Sequence, residues 1–91
     1  MIIQQTNIFR RRVKKMHKTE KKALDEAVQV IAEDPTMGDS KIGDLTGIYV
    51  FKYKHNSQLY LLAYTYIEDK LTLTFIDHGT HENFYRDLKR H

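Results

Sequence analysis

Cysteine is absent from the chain. No disulfide framework can staple it, and no thiolate can serve as nucleophile or metal ligand. Long apolar runs are missing too, so no segment reads as a membrane-spanning helix. The opening residues Met1-Ile2-Ile3-Gln4-Gln5 lack the layout of a signal peptide. A cytoplasmic protein with no membrane partner is the expectation. Proline occurs once, at Pro35, and three of the four glycines lie between it and Gly47. The chain breakers are thus gathered in one loop, which leaves the rest free for regular elements. No Gly-rich phosphate loop, nucleophile elbow or zinc-ligand spacing occurs. The pair His78 and His81 has the i, i+3 spacing used by metal sites, but only Asp77 and Glu82 stand near it. Neither a metal nor a small-molecule cofactor is expected. There is no internal repeat and no low-complexity segment.

The 91 residues suit one domain, residues 1–91. A domain of this size buries a modest core, so an obligate partner is in keeping with it. Hydrophobic and charged contents of 41% and 30% are those of a soluble globular protein. The net charge of +3 is unevenly spread. Between residues 10 and 22, Arg10, Arg11, Arg12, Lys14, Lys15, Lys18, Lys21 and Lys22 face a single acid, Glu20. From 23 to 51, Lys41 stands alone against Asp25, Glu26, Glu33, Asp34, Asp39 and Asp44. The basic block is a footprint for a polyanion or an acidic partner, or else a solvated helix face.

Ile2 to Gln5 read as a short strand. Thr6 or Asn7 can cap a helix over about Ile8 to His17, in which Phe9, Val13 and Met16 form one apolar stripe. Thr19 is the cap candidate for a second helix to about Ala32, with Leu24, Ala27, Val28 and Ile31 on its buried face. Two helices so close in sequence predict a hairpin. Asp34-Pro35 ends the second, because the residue before proline avoids the helical region. The segment from Pro35 to Gly47 reads as loop, with Ile42 and Leu45 pinned to the core. Three strands follow: Ile48 to Lys54, Leu59 to Ile67, and Leu71 to Ile76, joined by His55–Gln58 and Glu68–Lys70. Their short connections predict an antiparallel meander. Gly79 permits a turn, and Thr80 can cap a short last helix on which His81, Tyr85 and Leu88 share a face, with Lys89 and Arg90 suited to its end. The expected architecture is α+β, in the order β-α-α-β-β-β plus a short C-terminal helix, with an antiparallel sheet packed on a helical hairpin.

The tail groups residue types suited to RNA cleavage without metal. That reaction needs a base for the ribose 2′-hydroxyl, a cation where phosphate charge builds, and an acid for the departing 5′-oxygen. His81 can be base or acid, since its ordinary pKa lies near neutrality. Arg86, Lys52 and Lys54 can hold the phosphate. Tyr85 can stack on a base or donate a proton. The plain alternative is that Phe84, Tyr85 and Leu88 only dock the tail. The tyrosines of the strands, among them Tyr53, Tyr60 and Tyr64, can offer a stacking platform or fill the core.

Three stretches carry a resemblance over nearly the whole chain: Asp34-Pro35-Thr36-Met37-Gly38, Leu45-Thr46-Gly47, and Gly79-Thr80-His81-Glu82-Asn83-Phe84-Tyr85-Arg86-Asp87-Leu88-Lys89 after Phe75-Ile76-Asp77-His78. With the order of elements, they resemble the RelE/ParE superfamily of type II toxin–antitoxin toxins. The resemblance implies a bacterial toxin held inactive by a cognate antitoxin protein. RelE-like members enter the ribosomal A site and cleave mRNA, whereas ParE-like members act on DNA gyrase. For a RelE-like endoribonuclease the matching catalytic positions are His81, Tyr85, Arg86 and Lys52. RNA-binding positions are Lys54, His78, Arg10, Arg11, Arg12, Lys14 and Lys15, the helical hairpin meeting ribosomal RNA. Many RelE-like members carry an arginine on the central meander strand. Residues 59–64, Leu-Tyr-Leu-Leu-Ala-Tyr, carry no cation. Gyrase inhibition, or a basic nucleic-acid-binding module, is therefore the alternative expectation.

Overall fold

The computed structural model describes residues 1–89, with only the backbone of 81–83 and 87. The elements are β1 (Ile2–Gln5), α1 (Asn7–Lys14), α2 (Lys18–Glu33), β2 (Asp39–Ser40), β3 (Tyr49–His55), β4 (Gln58–Ile67), β5 (Thr72–Thr80) and α3 (His81–Lys89). One five-stranded sheet has the order β1-β5-β4-β3-β2. The expected α+β class is the one observed, with two refinements. The sheet is mixed, because β1 runs parallel to β5, while β2 through β5 pair antiparallel. The helices also divide between its faces. Phe9 of α1 and Leu24, Ala27 and Ile31 of α2 form one core with Leu62, Tyr64, Leu73 and Phe75. Phe84 and Leu88 of α3 form another with Leu45, Val50, Leu61 and Ala63. Neighbours along β4 thus point to opposite cores, as the strand period of two requires.

Local chemistry sets the element ends. The Thr6 side chain accepts from the Phe9 N–H at 3.1 Å and donates to the Ile76 carbonyl at 2.5 Å, so the cap of α1 also ties it to β5. The cap of α2 is His17 rather than Thr19. Its carbonyl accepts the first helical bond from Lys21 N–H at 3.0 Å, so α2 starts earlier than the sequence suggested, while α1 ends at Lys14 rather than His17 and residues 15–17 form the link. Asp34 is extended before Pro35, as expected. In the β3–β4 hairpin Asn56 and Ser57 have φ of 50° and 65°, the left-handed pair of a two-residue turn matched to strand twist. The Pro35–Gly47 loop contains the short β2, which pairs Asp39 with Val50 and Ser40 with Tyr49. Leu45 is buried there, but Ile42 is 89% exposed and not a core residue.

The last strand departs most from expectation. It runs through Asp77, His78, Gly79 and Thr80, and α3 begins directly at His81. A bulge lies within it. Tyr64 pairs with Phe75 and Ala63 with Asp77, which leaves Ile76 as the extra residue. An extra residue reverses which parity faces which side. Phe75 therefore faces the hairpin, Ile76 packs into the α3 core, and His78 returns to the hairpin side against Tyr53 and Tyr60.

Candidate functional site

The two groups of site residues picked from the sequence lie on opposite faces of the sheet. Lys52 and Lys54 share the parity of Val50, so they project on the α3 side, and both are exposed. Lys52 pairs with Leu61, and Leu61 with Gly79, so the three form a row across β3, β4 and β5. Phe84 covers the Gly79 end: a Cβ there would meet its ring at 3.6 Å. Tyr85 is half-buried against the same core, edge-on to Phe84 with ring centroids 5.3 Å apart. Lys41 Nζ stands 5.3 Å from the centre of the Tyr85 ring. Arg86 is exposed. The side chain of His81 lies outside the described residues, as does Arg90, but the His81 backbone opens α3 directly after Thr80. The α3 face can therefore present cations and a phenol to a bound phosphate.

The hairpin face holds a denser polar cluster. His78, 4% exposed, belongs to β5 rather than to the tail. Its Nε2 is 2.5 Å from the Tyr53 hydroxyl, and its ring stacks on Tyr60 at 5.3 Å and 12°. Tyr53 and Tyr60 stack at 5.6 Å, so three rings tile the sheet. Burial pushes the His78 imidazole down to about 4, the nearby Asp77 carboxylate opposing and Arg12 adding to the effect. Burial likewise pushes the Tyr53 phenol up. Both groups are neutral at pH 7, so the Tyr53 hydroxyl and Nε2 share one hydrogen bond whose donor is set by the imidazole tautomer. Beside them Arg12 Nε contacts the Asp77 carboxylate at 2.6 Å, and the same carboxylate oxygen accepts from the His78 N–H at 2.7 Å. Asp77 is 1% exposed.

On α1 and its C-cap, Arg10, Arg11, Arg12, Lys14 and Lys15 are all exposed. Arg11, Arg12 and Lys15 fall with Ile8 on one helix stripe, which borders a hollow of about 290 Å³. A second hollow of about 270 Å³ joins Arg12 and Lys15 to Tyr60 and His78. Among the described residues no three of His, Cys, Asp or Glu gather as metal ligands, and no helix is long and apolar enough to cross a membrane. Sequence reasoning gave Lys41 no site role, named Tyr53 only as a stacking or core residue, and considered Asp77 only as a metal ligand. Lys41 had a signal, as the lone base of residues 23–51. The pairing of Asp77 with Arg12 had no signal, because the two are remote in sequence and nothing local marks them.

The chain thus has a helical hairpin on one sheet face, a short helix on the other and exposed cations along both. The family model "ParE-like toxin of type II bacterial toxin-antitoxin system" matches residues 3–89, and the chain belongs to that family. Solved structures of similar fold include RelE toxins. The free Escherichia coli RelE double mutant has a TM-score of 0.75 at 20% identity, over 98% of this chain and 95% of that one. The chain in the intact E. coli RelBE toxin–antitoxin complex gives 0.72 at 22%, over 89% and 96%. The chain in the Mycobacterium tuberculosis RelBE2 toxin–antitoxin complex gives 0.69 at 20%, over 88% and 96%. No curated protein sequence matches the chain.

Proposed function

We propose that this toxin is RelE-like and cleaves mRNA on the ribosome without a metal ion, and that a cognate antitoxin neutralises it. The observation that carries the reading is the exposed pair Lys52 and Lys54 on the sheet face that also bears Tyr85. In this mechanism a base takes the proton of the ribose 2′-hydroxyl, and the 2′-oxygen attacks phosphorus. The bond to the 5′-oxygen breaks, and that oxygen leaves with a proton from an acid. His81 is the base or the acid. Tyr85 supplies the acid or stacks on a base. Lys52 and Arg86 counter the charge that builds on the phosphoryl oxygens, and Lys54 holds a neighbouring phosphate. Arg10, Arg11, Arg12, Lys14 and Lys15 meet ribosomal RNA by its phosphates, with His78 in the groove beside them. The antitoxin, like the partners in the RelBE complexes, is a separate protein. It covers the sheet and at least part of residues 78–91 with acidic side chains.

The test is a cell-free translation reaction with the 5′ ends of the mRNA mapped. New ends in ribosome-bound messages are the expected result. Intact messages, with His81→Ala and Tyr85→Ala as toxic as the parent, would sink the reading. One observation favours a second reading, inhibition of DNA gyrase without catalysis. On its α3 side β4 presents Leu59, Leu61 and Ala63, with no cation among them. DNA breaks without cut messages would be its signature.

A further inference from the structure

The hairpin face carries a groove that cleavage on the α3 face leaves unused. It is an open hollow of about 270 Å³ lined by Arg12, Lys15, Met16, Glu20, Tyr60 and His78. We propose that this groove binds one guanine nucleotide, its base stacked on Tyr60 and read by Glu20, its phosphate held by Lys15.

Size, floor and rim each point to this ligand. Drug-sized molecules occupy pockets of roughly 300–1,000 Å³, so this one admits a single nucleotide unit and little more. The floor is the tiled set of Tyr53, Tyr60 and His78. Tyr60, half-buried at the groove, lets an entering base become the next ring of the stack. Met16 supplies a polarizable wall suited to an aromatic edge. One rim is cationic, with Lys15 exposed and the Arg12 side chain 43% exposed while its Nε contacts Asp77. The other rim is the carboxylate of Glu20, in the first turn of α2. It lines the same hollow as Tyr60 and His78.

The carboxylate selects the base. Guanine presents two adjacent donors, N1–H and N2–H₂, to a single acceptor group. Adenine and cytosine offer one amino group on that edge, and uracil one imide N–H. That the nucleotide belongs to an RNA strand rests on the proposed function. The pocket itself does not.

The test is titration of the ¹⁵N-labelled full chain with GMP, followed by amide NMR. Saturable shifts at Lys15, Glu20, Tyr60, His78 and Gly79 are expected. CMP and UMP should bind at least about tenfold more weakly, a difference of one stacking or hydrogen-bonding contact. Lys15→Ala should weaken all nucleotides alike, and Glu20→Gln should erase the preference for GMP. Should Tyr60→Leu fail to fold, Glu20→Gln still decides the matter, because it keeps the size and shape of the half-buried side chain. A strand as the natural source predicts that the trinucleotide UGU binds more tightly than GMP; a free nucleotide predicts the reverse order. No saturable shift at millimolar GMP, shifts confined to Lys52, Lys54 and α3, or equal binding of inorganic phosphate would each overturn the site. No ribosome is present, so GMP binding by a chain that cuts no message supports the groove while refuting the proposed activity. A chain that cuts messages and ignores GMP does the opposite.

Discussion

Arg12 Nε lies 2.6 Å from a carboxylate oxygen of Asp77, and the contact ties α1 to the strand from which α3 departs. Asp77 is buried, and its oxygen also takes the His78 N–H. Removing the arginine leaves a buried carboxylate without its cation. Losing one partner of such a pair costs more than the pair contributes net, because the remaining charge is desolvated. The Arg12 side chain is 43% exposed, so solvent moderates the loss. Arg12→Ala should cost about 2 kcal/mol in urea unfolding. Arg12→Ala combined with Asp77→Asn should cost less than the sum of the two single changes. Additive single costs would show that the contact contributes nothing.

His78 makes stability depend on pH. Burial holds its imidazole at about 4 against an ordinary 6.5. The unfolded chain therefore binds a proton in that window and the folded chain does not. Stability rises with pH wherever the unfolded state holds more protons. The contribution is fully present above 6.5, falls as pH drops towards 4, and levels off below it. The full difference is about 3 kcal/mol. Melting temperature followed from pH 7 to 4 should fall by this route, and His78→Gln should flatten the slope. An imidazole seen by NMR to titrate near 6.5 in the folded protein would remove the basis for the effect.

The hairpin and its core were legible because their signals are local. Phe9, Val13 and Met16 recur at helical spacing, and the structure buries Phe9 and packs the other two beside it. The end of β5 was not legible. A bulge at Ile76 breaks the alternation set by Leu73 and Phe75, so Asp77-His78-Gly79-Thr80 reads as turn and tail. The parallel partner of β1 was also hidden, since nothing in Ile2-Ile3-Gln4-Gln5 points to residues 72–75. The same bulge decides the site. It turns His78 to the hairpin side, whereas Lys52 and Lys54, read correctly as sharing a face, lie on the other. Residues that looked like one constellation in the sequence are two.

Gly38 is required by Tyr64. The tyrosine is fully buried, its hydroxyl donating to the Pro35 carbonyl at 2.7 Å and accepting from the Gly38 N–H at 2.9 Å. A Cβ on residue 38 would sit 2.7 Å from that oxygen and 3.0 Å from a ring carbon. The ring stacks on Tyr49 and cannot swing aside without losing both bonds. Gly38→Ala should therefore cost about 2 kcal/mol, a typical overpacking penalty. In a domain of this size that lowers the melting temperature by about 10 °C. Tyr64→Phe frees the space, so the pair Gly38→Ala with Tyr64→Phe should be less destabilised than additivity predicts.

Tyr85 separates catalysis from docking. Its ring packs on the α3 core, while its hydroxyl is the part a proton transfer would use. Tyr85→Phe keeps the ring, its contact with Phe84 and the surface under Lys41. Melting temperature should therefore fall far less than for Tyr85→Ala. If Tyr85 gives its proton to the departing 5′-oxygen, single-turnover cleavage of ribosome-bound mRNA should slow by about 10²–10⁴, the usual contribution of a general acid. Lys52→Ala should slow it by about 10²–10³, by loss of a cation at the developing charge. Lys41→Met should have a smaller effect, within about tenfold, because a cation over a ring is worth about 0.5–1 kcal/mol at an exposed site. Tyr85→Phe that cleaves as fast as the parent would leave Tyr85 with docking alone, and His81 would then have to supply the acid.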